Sequence, residues 1–247
     1  MKKLLFLVTA LLAMVQQTSA QTTPVITVAD VKTAPGKTVT LTLNLAGGKA
    51  DQYTSLQFDA QFPSNGFTIK SDGYTISDKW SGTDELTKVL CPDGDIAVDD
   101  NGVATIPFAC ANAISEANVE NLVTVSVKVP NNAAIGEQNI TLKNIKLGYG
   151  YSDKDIPSDV NAKLNIYKLG DVNGDNVVDI VDVTSIISSI LGDTPDVFIS
   201  EVANTNDDED IDVVDVTKTI DIILGGDSNE PQSTRAFDTS VDPIDPD

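Results

Sequence analysis

Apolar and polar positions alternate with a period of two along several stretches of the chain. Val39, Leu41, Leu43 and Leu45 fall on one face of a strand, Leu56, Phe58, Ala60 and Phe62 on a second, and Val123, Val125, Val127 and Val129 on a third. Further strand patterns lie near residues 24–30, 138–145 and 162–167. Separated by turn-rich segments, they predict a mainly β region over residues 21–168, of about nine antiparallel strands, as a sandwich in preference to a barrel. Asp99-Asp100-Asn101-Gly102 reads as a hairpin turn between residues 96–98 and 103–106. With a loop at Asp100-Asn101 that hairpin sets Cys91 opposite Cys110 and makes them a candidate disulfide, whereas a turn at Asn101-Gly102 shifts the register. Two buried thiols are the alternative.

Beyond residue 168 the period changes. Val183, Ile186, Ile187, Ile190 and Leu191 form a helical stripe closed by Gly192, and Val216, Ile220, Ile223 and Leu224 repeat it before Gly225-Gly226. Neither short helix can bury its stripe alone, so the two stripes are predicted to pack on each other. Residues 227–247, rich in Pro, Ser, Thr and Asp, read as a disordered acidic tail.

Charge sharpens this division. Residues 21–168 carry 12 Lys against 17 acids, whereas residues 169–226 carry 14 acids and one base, Lys218. A formal charge of −21 opposes nucleic-acid binding, and the absence of His removes the Ser-His-Asp triad and every His-containing metal site. Met1–Ala20 has the basic start (Lys2-Lys3), apolar run and small-residue site of a secretory signal, and no later segment is apolar enough to span a bilayer. The expected location is therefore extracellular or periplasmic, where disulfides persist.

The acidic zone is a duplication. Residues 171–192 and 204–225 match at 11 of 22 positions with a constant offset of 33. Each copy sets oxygen-bearing side chains at loop positions 1, 3, 5, 9 and 12: Asp171, Asn173, Asp175, Asp179 and Asp182, then Asn204, Asn206, Asp208, Asp212 and Asp215. The carbonyl of position 7, Val177 or Asp210, completes the oxygen set that a 12-residue loop offers to Ca²⁺. Two Ca²⁺ sites are expected, the first stronger, because Asn204 removes a ligand charge and position 6, where Gly is preferred, is Asn176 in the first loop and Glu209 in the second. Metal binding there is expected to be structural and coupled to folding.

These residues resemble the dockerin module of cellulosomes and of secreted proteins of gut Bacteroidetes, over residues 169–226. The resemblance implies a small all-α module of two F-hand calcium loops that binds a cohesin-type module, with selectivity at loop positions 10 and 11. Those positions are Ile180-Val181 and Val213-Val214, apolar where many dockerins are polar. As recognition residues they contact a partner; the alternative is that they extend the helix core. The stretches ITVADV, APGKTVTLTLNL, SLQFDAQF and LVTVSVKVPNNAAIGEQNITLKNIKL resemble a cohesin domain, implying a nine-stranded jelly-roll sandwich related to cellulose-binding modules.

The function these readings favour is non-catalytic: a secreted, calcium-dependent assembly or adhesion protein linked to extracellular polysaccharide degradation. The alternative is a carbohydrate-binding sandwich with the dockerin as anchor and a glycan as partner, for which Trp80, Tyr53, Tyr74, Tyr149 and Tyr151 are the aromatic candidates. A glycosidase needs two carboxylates flanking a cleft, and Glu85, Glu116, Glu120 and Glu137 stand in polar, turn-like surroundings unsuited to it. No catalytic residue is assigned. The three residues between the last strand and Asp171 predict a fixed orientation of the two parts, touching through the first helix and Leu169, and head-to-tail self-association if the two recognise each other.

Overall fold

The computed structural model describes residues 23–81, 94–149, 152–208 and 210–225. The strands, in chain order, are β1 (Val25–Val28), β2 (Val31–Thr33), β3 (Thr38–Ala46), β4 (Ser55–Gln61) and β5 (Thr68–Ile76), then, after α1 (Asp78–Ser81), β6 (Ile96–Ala97), β7 (Val103–Ala109), β8 (Val119–Lys128), β9 (Gly136–Tyr149), β10 (Ser152–Asp155) and β11 (Val160–Ile166). Three helices follow: α2 (Ile180–Ile190), α3 (Ser200–Ala203) and α4 (Val213–Ile223). The described strands number eleven, more than the nine expected, because short edge segments such as β2, β6 and β10 escape a period-two pattern.

The strands form two sheets, β1-β3-β8-β5-β6 and β2-β11-β9-β4-β7, with β10 paired to β9. Alternation does what it predicts: Leu56, Phe58 and Ala60 of β4 and Val123, Val125 and Val127 of β8 point into one core, while their neighbours face outward. All pairings are antiparallel except β2 with β11, in which Val31 lies opposite Leu164 and Thr33 opposite Ile166. At the start of β8 a bulge breaks the strict alternation. Leu122 and Val123 are both buried, and Asn121, with φ 51°, has its N–H bonded to the side-chain oxygen of Asn44 at 2.7 Å.

The hairpin expected at residues 96–106 is not formed. β6 pairs with β5 in one sheet and β7 with β4 in the other, so the Asp99–Gly102 turn crosses between the sheets. Asp99 Oδ1 accepts from the N–H of Asn101 (2.9 Å) and Val103 (2.8 Å). Gly102 sits at φ 77°, where a Cβ would meet the Phe62 carbonyl at 2.7 Å. The register argument for a disulfide therefore falls away. Cys91 lies outside the described residues; Cys110 is buried, with Sγ 3.5 Å from the Trp80 carbonyl and no disulfide among the described residues.

A second, smaller core gathers Val172, Val183, Ile186, Ile199, Val202 and Val216, and Ala34 of the β2–β3 turn is part of it. As expected, the two helical stripes pack on each other, with Ala34 of the sandwich added, but each is buried only in part. Val183, Ile186 and Val216 are buried, but Ile187, Ile190, Leu191, Ile220, Ile223 and Leu224 remain exposed. Two eleven-residue helices that meet through a few side chains leave the rest of each stripe uncovered.

Candidate cation loops and exposed helix starts

Each loop runs into its helix through the same capping device. Asp179 is the N-cap of α2, its carboxylate accepting from Val181 N–H at 2.7 Å, and Asp182 Oδ2 accepts from Asp179 N–H at 2.9 Å. In α4, Asp212 accepts from Val214 N–H at 2.7 Å and Asp215 Oδ2 from Asp212 N–H at 2.9 Å. The twelfth-position carboxylates also reach back across their loops. Asp182 Oδ1 accepts from Val172 (2.9 Å) and Asn173 (3.2 Å), and Asp215 Oδ1 from Thr205 (2.7 Å) and Asn206 (3.1 Å).

The remaining positions repeat the same pattern. Asp171 Oδ1 and Oδ2 accept from the N–H groups of Gly174 and Asn176, both at 2.9 Å. Asn173 Oδ1 accepts from Asp175 N–H and Asp175 Oδ1 from Val177 N–H. In the second loop Asn204, Asn206 and Asp208 accept from the N–H groups of Asp207, Asp208 and Asp210. Asn176 has φ 70°, the left-handed geometry a sixth position requires; Glu209, its counterpart, lies outside the described residues.

Asp171, Asp182 and Asp215 are fully buried. Burial pushes the Asp182 carboxyl above the usual carboxylate range, and the charge of Asp171 adds to this, while the N–H groups of Asp179, Asn173 and Val172 pull it down. Among the described residues no three Asp, Glu or Cys side chains converge as a ready-made metal centre. The donors instead are spaced along each loop as carboxylate, amide and carbonyl oxygens, without nitrogen or sulfur ligands. That donor chemistry fits a hard divalent cation such as Ca²⁺.

Ile180, Val181, Val213 and Val214 are 65%, 50%, 68% and 44% exposed, so none of them extends the helix core. The two pairs occupy equivalent places at the starts of the duplicated helices. Of the aromatic candidates, Trp80 and Tyr53 are buried, Tyr74 packs edge-on against Phe108, and Tyr151 lies outside the described residues. Tyr149 is exposed, with the Lys154 ammonium 5.6 Å from its ring centre. A coplanar set of exposed rings is absent among the described residues. Glu85 lies outside them as well, and Glu116 and Glu137 form surface ion pairs with Lys79 and Lys163.

Sequence reasoning did not find Lys37. Its Nζ, on a side chain only 11% exposed, donates to the Asn204 carbonyl at 2.8 Å and to Asp207 Oδ1 at 2.9 Å, joining the β2–β3 turn to the second loop. This polar contact adds to the apolar one expected through the first helix and Leu169, which share a cluster with Ala34 of the sandwich. The turn signal Ala34-Pro35-Gly36-Lys37 was visible, but its partner 167 residues away was not.

Two packed sheets with a buried apolar interior define a β-sandwich. Residues 24–166 match the cohesin domain, and the chain belongs to the cohesin family. The cohesin domain is a non-catalytic protein–protein assembly module of the cellulosome type. Among solved structures, the chain is similar to the cohesin CaCohA2 from Clostridium acetobutylicum, with 18% identity over 58% of this chain and 90% of that one and a TM-score of 0.44. A type I cohesin–dockerin complex from Clostridium thermocellum gives 15% identity, 59% and 99% coverage and a TM-score of 0.42. A non-cellulosomal cohesin from Archaeoglobus fulgidus gives 14%, 60% and 93%, and 0.39. No curated protein matches the chain. No helix among the described residues is long and apolar enough to cross a membrane.

Proposed function

We propose that the protein is a secreted assembly or adhesion component that pairs a cohesin sandwich (residues 21–168) with a dockerin-like calcium module (residues 169–226), in the service of extracellular polysaccharide breakdown. The observation that carries this reading is the duplication: two loops with the same hydrogen-bond pattern, each feeding a capped helix whose first two residues are apolar and exposed. Asp171, Asn173, Asp175, Asp179 and Asp182, with the Val177 carbonyl, would hold one Ca²⁺. Asn204, Asn206, Asp208, Asp212 and Asp215, with the Asp210 carbonyl, would hold a second, more weakly. The ion supplies positive charge that offsets the clustered carboxylates; the chain's own part is to cap both helices and hold the four apolar side chains outward.

Ile180, Val181, Val213 and Val214 are the contact residues for a cohesin-type module of another protein or of a second copy of this chain, and the sandwich takes a dockerin-type segment. Surface binding on the full chain tests this, with cohesin and dockerin modules passed over it in Ca²⁺ and in chelator. Cohesin retention in Ca²⁺ that disappears in chelator is expected; equal retention in both conditions refutes calcium dependence. Sedimentation over a concentration series reads self-association, and a monomer throughout leaves an external partner.

A further inference from the structure

Loop position 4 is Gly174 in the first copy and Asp207 in the second, and both have left-handed backbone, φ 74° and φ 67°. At Gly174 the left-handed φ favours glycine, and an added Cβ would lie 3.1 Å from Ile199 Cδ1 and 3.4 Å from the Tyr167 ring. The second loop gives up glycine's ease at the same position for a carboxylate. That carboxylate points at Lys37 of the sandwich, 2.9 Å away, and the same ammonium holds the carbonyl of Asn204, position 1 of that loop. Lys37 is itself placed by a tight turn in which its N–H donates to Ala34 O and Gly36 adopts φ 77°, against Asn131. Ala34 of this turn is buried in the second core beside Val172 and Val202. An Asp in left-handed geometry is held here from two sides, by Asn204 Oδ1 of its own loop, which accepts from Asp207 N–H at 2.8 Å, and by Lys37 of the sandwich.

We propose that Lys37 is a positioning residue that latches the second loop to the sandwich, so that a cation held in that loop stabilises the sandwich as well as the helix pair. The inference rests on the calcium reading of the loops. Coupling is reciprocal: if the latch preorganises the loop for the cation, the cation must strengthen the latch and whatever the latch holds. The charge of Lys37 does not oppose this, because Asp207, outside the ligand set, neutralises it.

The chain's one tryptophan, Trp80, is buried in the sandwich core, so its fluorescence follows the sandwich alone. In the full chain, saturating Ca²⁺ is expected to raise the Trp80-reported thermal midpoint by about 3 °C. In Lys37→Met that rise should fall below half, and the weaker Ca²⁺ site seen by calorimetry should lose affinity about 5-fold while the stronger site is unchanged. Asp207→Gly, which restores the residue type of the first loop, should act in the same direction and should add nothing to Lys37→Met in the double variant. A full rise retained in both single variants overturns the latch, as does a wild type that binds Ca²⁺ with no rise. Absence of Ca²⁺ binding in the wild-type calorimetry overturns the calcium reading and the latch with it.

Discussion

Asp179 and Asp182 cap each other: the Asp182 carboxylate accepts from the backbone N–H of Asp179 at 2.9 Å, while the Asp179 carboxylate satisfies the next free N–H groups of the same helix. The helix start and the proposed cation site therefore share their side chains. A loss at either residue is felt twice, once through the orphaned amides of the first turn and once through the loop.

Asp182→Ala should weaken Ca²⁺ binding and helix content more than Asp215→Ala, because the first loop opens with Asp171 where the second opens with Asn204. Loss of the capping interactions alone costs about 1 kcal/mol in each variant. Calorimetry and far-ultraviolet circular dichroism of the full chain rank the two, and the opposite ranking would contradict the order of the sites.

Chelation should lower helical ellipticity and leave the β signal in place. Fourteen acids in residues 169–226 face a single lysine, so without a cation their repulsion acts on a core that buries only a few apolar side chains. An unchanged spectrum on adding Ca²⁺ to chelated protein argues against coupling between metal and fold.

Replacing the exposed pair residues separates recognition from folding. Ile180→Asp combined with Val213→Asp should change stability by no more than about 0.5 kcal/mol, since both side chains are solvent-exposed and an acid suits a helix's first turn. Affinity for a cohesin-type partner should fall about 30-fold or more, as for a central hot spot. Unaltered affinity would move the recognition surface elsewhere.

Asp155 should contribute to the acid limb of the sandwich's stability. Asp155 accepts from Lys49 Nζ and, at 2.6 Å, from the buried Tyr53 hydroxyl; the Lys49 bond first, then that of Tyr53, holds its carboxyl below the usual carboxylate range. A depressed carboxyl stabilises the fold above its unfolded pKa, about 3.9, and that stability is lost as pH falls through the folded value. Burial, then the bond to Asp155, pushes the Tyr53 phenol up, so its contribution is complete below about pH 10 and disappears as pH rises through the higher folded value. Asp155→Asn should flatten the acid limb of a stability–pH curve recorded by denaturant titration; an acid limb as steep as that of the wild type would assign that dependence to other carboxylates.

How far the chain's pattern foretells its structure depends on whether the deciding partner is local. Leu56, Phe58 and Ala60 announce their burial by alternation, and the Asp-rich loops by spacing, because strand pleat and loop closure are set within a few residues. The Asp99–Gly102 turn was legible as a turn, but its local residues do not say that the strands on its two sides join different sheets. Ile187 and Ile220 lie on apolar stripes yet stay exposed, since the width of a stripe does not fix the area of the interface it meets. Lys37 looked like one surface lysine among several until the fold brought it to Asp207.

The parallel pairing of β2 with β11 also sets a timetable for the newborn chain. Val31–Thr33 has no ladder partner among the described strands except Leu164–Ile166, so those early residues wait unpaired until nearly the whole sandwich has been made. Closure of so distant a contact is slow, whereas the duplicated loops need only neighbours a few dozen residues away. In a pulse-labelled refolding experiment, the amides on the β2–β11 ladder, Thr33 and Tyr167 among them, should gain protection together and after those of β3 and β8; early protection of Thr33 would require a different route.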